Sequence, residues 1–121
     1  MERLRIVLAD CHQEILELLK APLEPDFEVV GAVEDGQSLL TDAQALRPDI
    51  VLTDVDIPIL NGIEATRRLH KTLPECRVIF HSSHREPKVM DAAFAAGASG
   101  YLIRGSSQSV ISSIRVAVRH A

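Results

Sequence analysis

The segment VLTDVDIPILNG, Val51 to Gly62, sets two carboxylates, Asp54 and Asp56, one residue apart at the end of an apolar run. A hydrophobic core has no use for either, so their chemistry belongs to the loop they open. Other reactive groups end runs of the same kind: Asp10 and Cys11 after RIVLA, Ser82 and Ser83 after VIFH, and Arg104 after YLI. Carboxylates brought together form a hard-oxygen cluster suited to Mg2+, which takes one or two of them with waters and phosphate oxygens. A hydroxyl at Ser82 and a cation at Arg104 would hold the remaining oxygens of a phosphoryl group. One carboxylate would then be the nucleophile, since an aspartate can form an acyl phosphate, and Asp54 ends the middle run. The plainer reading is that Asp54 and Asp56 are loop acids capping the following turn.

These groups meet only if the runs are neighbouring strands. Short β-branched runs at Leu4–Ala9, Phe27–Ala32, Asp49–Thr53, Arg77–His81 and Ser99–Ile103 read as strands. Segments of helical period lie between them. The first is His12–Leu19, with Ile15, Leu16, Leu18 and Leu19 as its buried stripe. The second follows Asp35-Gly36 and runs to about Leu46, stopped before Pro48. The third, Gly62 to Leu73, is capped by Asn61 and ended by Pro74. The fourth, Pro87–Ala96, closes at Gly97, and the last is Ser107–Arg119, with Val110, Ile111, Ile114, Val116 and Val118 apolar. Strands alternating with helices predict an α/β fold with a doubly wound, five-stranded parallel sheet of order 2-1-3-4-5, covered on both faces. Ligands of such sheets sit beyond the carboxyl ends of the strands, near the switch point between strands one and three. All the groups named above fall on that edge.

The chain has 121 residues, enough for one domain and one sizeable core. With a net charge of −4 nothing suggests that this domain itself binds nucleic acid, so DNA would be reached only through a separate output domain. Two cysteines without a spaced motif fit a reducing compartment, and no apolar run is long enough to span a membrane. The amino terminus lacks signal-peptide organisation, so a cytoplasmic protein is expected.

At this point the sequence resembles the receiver domain of two-component response regulators, over its whole length. RIVLADCH is similar to that family's first strand and acidic pair, and VLTDVDIPILNG to its phosphoacceptor strand and loop. VIFHSS puts Ser82 at the switch hydroxyl, and GASGYLIRG puts Tyr101 at the switch aromatic and Arg104 at the basic position. FEVVGAVEDG and GASGYL are most similar to NarL/LuxR-type receivers. The resemblance implies a flavodoxin-like (βα)5 receiver over residues 1–121, with no output domain in this stretch. It also implies a phosphoryl group taken on Asp54 from a sensor histidine kinase, and Mg2+ held by Asp10, Asp54 and Asp56. A switching surface would lie on the fourth helix, fifth strand and last helix, where Lys88, Asp91, Arg115 and Arg119 would permit a homodimer. The resemblance describes a signalling domain and no enzyme.

Several residues depart from the family pattern. Cys11 stands where a second acid is usual, Arg104 where lysine is usual, and His81 where the residue is usually apolar. Asp56 stands where the family uses mainly a backbone carbonyl. Mg2+ is therefore expected to bind weakly. Beside carboxylates the Cys11 thiol should ionise reluctantly, so it reads as a small residue that weakens the acidic pocket. His81 and His84, with Cys11, His12 and Asp54, would make a zinc set, but His81 should point away from Ser82 on a strand, which hinders convergence. Two other functions remain. One is a phosphorylation-independent pseudo-receiver serving as an interaction or dimerisation module. The other is a DxD-type phosphatase, against which DVD lies on the third strand of a short chain.

Overall fold

The computed structural model describes residues 3–105 and 110–120, with side chains up to residue 117. Its elements in chain order are β1 (Leu4–Ala9), α1 (Gln13–Leu23), β2 (Phe27–Val33), α2 (Gly36–Leu46), β3 (Ile50–Thr53), α3 (Gly62–Thr72), β4 (Arg77–Ser82), α4 (Pro87–Ala95), β5 (Gly100–Ile103) and α5 (Val110–His120). All strand pairs are parallel and the order is β2-β1-β3-β4-β5, as the alternation predicts.

Alternation along the strands divides the interior in two. Ile6 and Leu8 of β1, Ile50 and Leu52 of β3 and Ile79 of β4 pack with Leu16 and Leu23 of α1 and Ile114 of α5. Val7 and Ala9, Val51, and Val78 and Phe80 face the other way, onto Leu39, Leu40 and Ala43 of α2 and Ala65 and Leu69 of α3. Because both faces are covered, Ile6–Ala9 of β1 and Ile50–Leu52 of β3 read as unbroken apolar runs. The central strands cannot slide, since a one-residue slip would exchange the two faces. A bulge does occur between β1 and β2: Ile6 pairs with Val29 but Val7 with Gly31, so Val30 is the extra residue.

Strand limits agree with the sequence reading to within a residue, but the helices differ in three ways. α1 runs on through Pro22 to Leu23, whereas Leu19 was the expected end. Pro22 forfeits a backbone bond in the last turn, yet Leu23 is fully buried and holds that turn on the sheet. Leu18 is 70% exposed and not part of the stripe, because two residues of helix turn it about 200° from Leu16. Val116 is 53% exposed for the same reason relative to Ile114. Ser107, the expected start of the last helix, and the side chain of Arg119 lie outside the described residues. Asn61 does cap α3, its Oδ1 accepting the Glu64 N–H at 2.9 Å.

Candidate functional site

The carboxyl ends of β1, β3, β4 and β5 bring Asp10, Asp54, Ser82 and Arg104 to one edge. Asp10, Asp54 and Ser82 are 2%, 5% and 0% exposed, so groups of the protein must satisfy them. Asp54 follows directly on β3, and its own N–H bonds the Ala9 carbonyl of β1 at 3.1 Å. Its Oδ1 accepts the Val55 N–H at 2.7 Å. Its Oδ2 lies 3.6 Å from Nη2 of Arg104. The same Nη2 sits 2.5 Å from Asp10 Oδ2 and donates to the His81 carbonyl at 3.2 Å. One guanidinium nitrogen therefore serves both carboxylates, holding charge that water cannot reach.

The second oxygen of Asp10 is also engaged. Oδ1 accepts the His12 backbone N–H at 2.9 Å, the turn by which an aspartate ends a strand and starts a helix. It also lies 3.1 Å from His12 Nδ1, and that nitrogen is 3.5 Å from Cys11 Sγ. Burial, followed by the charges of Asp10 and Asp54, pushes the Cys11 thiol above its ordinary value, so it stays neutral.

Asp56 does not join Asp10 and Asp54. Its carboxylate, expected among the metal ligands, turns outward onto His84 Nε2 at 2.6 Å. The Val55 N–H and the Arg104 guanidinium already engage Asp54, and the imidazole gives Asp56 a partner at the surface. His84 Nδ1 lies 3.3 Å from Glu86, and the hydrogen bond the His84 ring makes to the Asp56 carboxylate is the main cause of a raised His84 pKa. The backbone of His84 ties Ser82 to Tyr101. Its N–H donates to Ser82 Oγ at 3.1 Å and its carbonyl accepts from Tyr101 Oη at 3.0 Å. Tyr101 is half-buried and stacked on Phe80 with ring centroids 5.9 Å apart. Ser83 is exposed, and His81 contributes its carbonyl while its ring Nδ1 is buried without a partner among the described residues. The zinc set of five residues accordingly breaks up: Cys11 and His12 meet Asp10, while His81 and His84 stand elsewhere.

The loop between β3 and α3 depends on Gly62, whose N–H donates to the Val55 carbonyl at 2.9 Å. A Cβ on Gly62 would lie 2.1 Å from the Asp54 carbonyl, so only glycine lets α3 begin against the end of β3. The pairings of Arg104 with Asp10 and of Asp56 with His84 were not foreseen from the sequence. His12 was read only as one member of a zinc set, and the folding of its ring onto Asp10 was not foreseen either.

Residues 6–114 match the response regulator receiver domain family. The transcriptional regulatory protein DegU of Brevibacillus brevis is 38% identical over 104 residues, 84% of this chain and 44% of that protein. LnrK of Bacillus subtilis, also a transcriptional regulatory protein, is 30% identical over 89% of this chain and 50% of its own length. The chain thus spans about half the length of these relatives. A crystal structure of a LuxR-family two-component response regulator from Aurantimonas superposes with a TM-score of 0.92 at 29% identity, covering 98% of this chain and 87% of that one. DegU and LnrK are transcriptional regulatory proteins, and with the strand order and the match across nearly its whole length, the chain belongs to the response regulator receiver domain family, on its NarL/LuxR-type branch.

Proposed function

We propose that this chain receives a phosphoryl group on Asp54 from a sensor histidine kinase in the cytoplasm and passes the change to an output domain that controls transcription. The observation that carries this reading is the buried Asp54 carboxylate at the end of the central strand, with one oxygen fixed by Val55 and the other facing Arg104. Oδ2 would form the new P–O bond as the N–P bond of the donor breaks. Arg104 is placed to move from the ground-state carboxylates onto the phosphoryl oxygens, where its planar fork can make two contacts. The Ser82 hydroxyl would donate to a third oxygen.

The family also implies Mg2+. Asp10 and Asp54 supply two hard carboxylates, which suffices for a weakly held ion, while Cys11 offers a neutral thiol and Asp56 is turned away. When bound, such an ion would neutralise charge on the transferring group.

Switching would follow from the Ser82–His84–Tyr101 connection. A phosphoryl group that draws Ser82 Oγ inward pulls the His84 backbone with it, and Tyr101 is bonded to that backbone. The surface of α4, β5 and α5 would then change shape. Phe94 and Val116 are exposed apolar residues on its two helices, which supports a homodimer there. The ion pairs first expected to hold it are reduced, because Arg115 is already paired with Asp26.

Incubation with a small phosphodonor and Mg2+ should add one phosphoryl group per chain and shift the protein towards a dimer. Asp54→Ala should abolish both effects, and Tyr101→Ala only the dimer shift. The pseudo-receiver reading is favoured by one feature, the Arg104 guanidinium seated on the carboxylates. A dimer population that ignores the phosphodonor would support it.

A further inference from the structure

Asp10, Cys11 and His12 place an oxygen, a sulfur and a nitrogen within 4.8 Å of one another at the end of β1. We propose that these three residues form a binding site for a borderline divalent ion of the zinc type, distinct in position and chemistry from the Mg2+ position between Asp10 and Asp54.

The distances carry the argument. A tetrahedral zinc centre with bonds of about 2.0 Å to N and O and about 2.3 Å to S separates N from O by about 3.3 Å and N from S by about 3.5 Å. The observed separations are 3.1 Å between His12 Nδ1 and Asp10 Oδ1 and 3.5 Å between His12 Nδ1 and Cys11 Sγ. Two edges of a coordination tetrahedron are thus nearly formed, and small side-chain rotations complete it. The ligand types match as well: a thiolate and an imidazole select zinc, cobalt or cadmium over magnesium.

The two sides of Asp10 keep the sites apart. Oδ1 faces the His12 ring, which in turn meets Cys11, whereas Oδ2 is held by Arg104. An ion on Oδ1 leaves that ion pair in place, and the guanidinium acts as the outer partner that orients the ligating carboxylate. The His12 side chain is 60% exposed, which gives an ion a route in from solvent and leaves the fourth position to water. Binding requires the Cys11 proton to pass to solvent and the His12 ring to carry its proton on Nε2, so that Nδ1 presents a lone pair. Magnesium gains too little from a thiolate to displace that proton. The bland account of the cluster is a set of hydrogen bonds that starts α1, and it predicts no ion at all.

Cobalt provides the test, because thiolate ligation gives it a near-ultraviolet charge-transfer band that oxygen ligands do not. Reduced, chelator-treated protein is titrated with Co2+ and then with Zn2+. The expected result is such a band saturating at one Co2+ per chain, bleached by Zn2+ and unaffected by a large excess of Mg2+. Cys11→Ser should abolish the band, and His12→Ala should weaken binding on the order of 100-fold. Cys76→Ser should retain it, with thermal melting confirming that each variant is folded. No band in the parent protein, or a band that survives Cys11→Ser, would overturn the site. None of these readouts depends on phosphorylation of Asp54, so the proposal stands or falls separately from the phosphorelay reading.

Discussion

Replacing Arg104 by methionine would strip Asp10 and Asp54 of the cation they share. Nη2 stands 2.5 Å from one carboxylate and 3.6 Å from the other. At an effective dielectric of about 20, the longer contact alone corresponds to about 5 kcal/mol of Coulomb energy. Desolvation cancels much of that, and breaking a buried pair by removing one partner ordinarily costs about 3–5 kcal/mol. The Arg104 side chain is 24% exposed, so solvent screens part of the loss. Asp10 also keeps the His12 N–H, and Asp54 the Val55 N–H. A net destabilisation of about 2 kcal/mol remains, which for a domain of this size lowers the melting temperature by roughly 6–10 °C. Thermal unfolding followed by circular dichroism, at neutral pH and low salt, measures it. The variant should recover part of the loss when Mg2+ is added, because an ion that binds only the folded chain stabilises it, and the vacated carboxylates bind that ion better than in the parent. A variant that melts within about a degree of the parent and ignores Mg2+ would show that the two acids do not depend on this guanidinium.

Other substitutions probe the same edge. Cys11→Asp should tighten Mg2+ about 10- to 100-fold by supplying a third hard ligand, as read by calorimetric titration, and an unchanged affinity would mean that this position does not face the ion. Ile59, 82% exposed, holds a φ of 71°, a left-handed conformation that is costly for a β-branched residue. Ile59→Gly should therefore stabilise the fold by about 1 kcal/mol in urea unfolding, and a loss of stability would show that the isoleucine side chain outweighs the strain. His84 has its pKa raised from the ordinary 6.5, chiefly by Asp56. Its contribution is fully present below that ordinary value and fades as pH rises through the raised one. Asp56→Asn should bring the His84 ring titration seen by NMR back towards 6.5, and a ring that does not move would place the cause elsewhere.

The sheet was legible because two-sided burial leaves runs such as Ile6–Ala9 and Ile50–Thr53 that no exposed element would carry. The edge was legible too, since polar residues closing those runs have one place to go in a doubly wound fold. What escaped depends on long side chains and on burial. Arg104 reaches across two strands to Asp10, a choice of partner that spacing does not encode. Asp56 could have faced either way, and His84, 28 positions along the chain, decided it. Leu18 and Val116 show that apolar composition without strict angular position overstates a buried stripe. Cys11 looked inert because its neighbours disfavour a thiolate, and only the folded geometry reveals His12 beside it.

The central claim is that Asp54 is the phosphoacceptor, and chemical trapping tests it most directly. Protein treated with a small phosphodonor and Mg2+ is reduced with borohydride, which converts an aspartyl phosphate to homoserine, and the peptides are sequenced by mass spectrometry. The account predicts homoserine at position 54, with Asp10 and Asp56 unchanged. Homoserine at Asp10 or Asp56, or at no position while a related receiver is trapped under the same conditions, would contradict it.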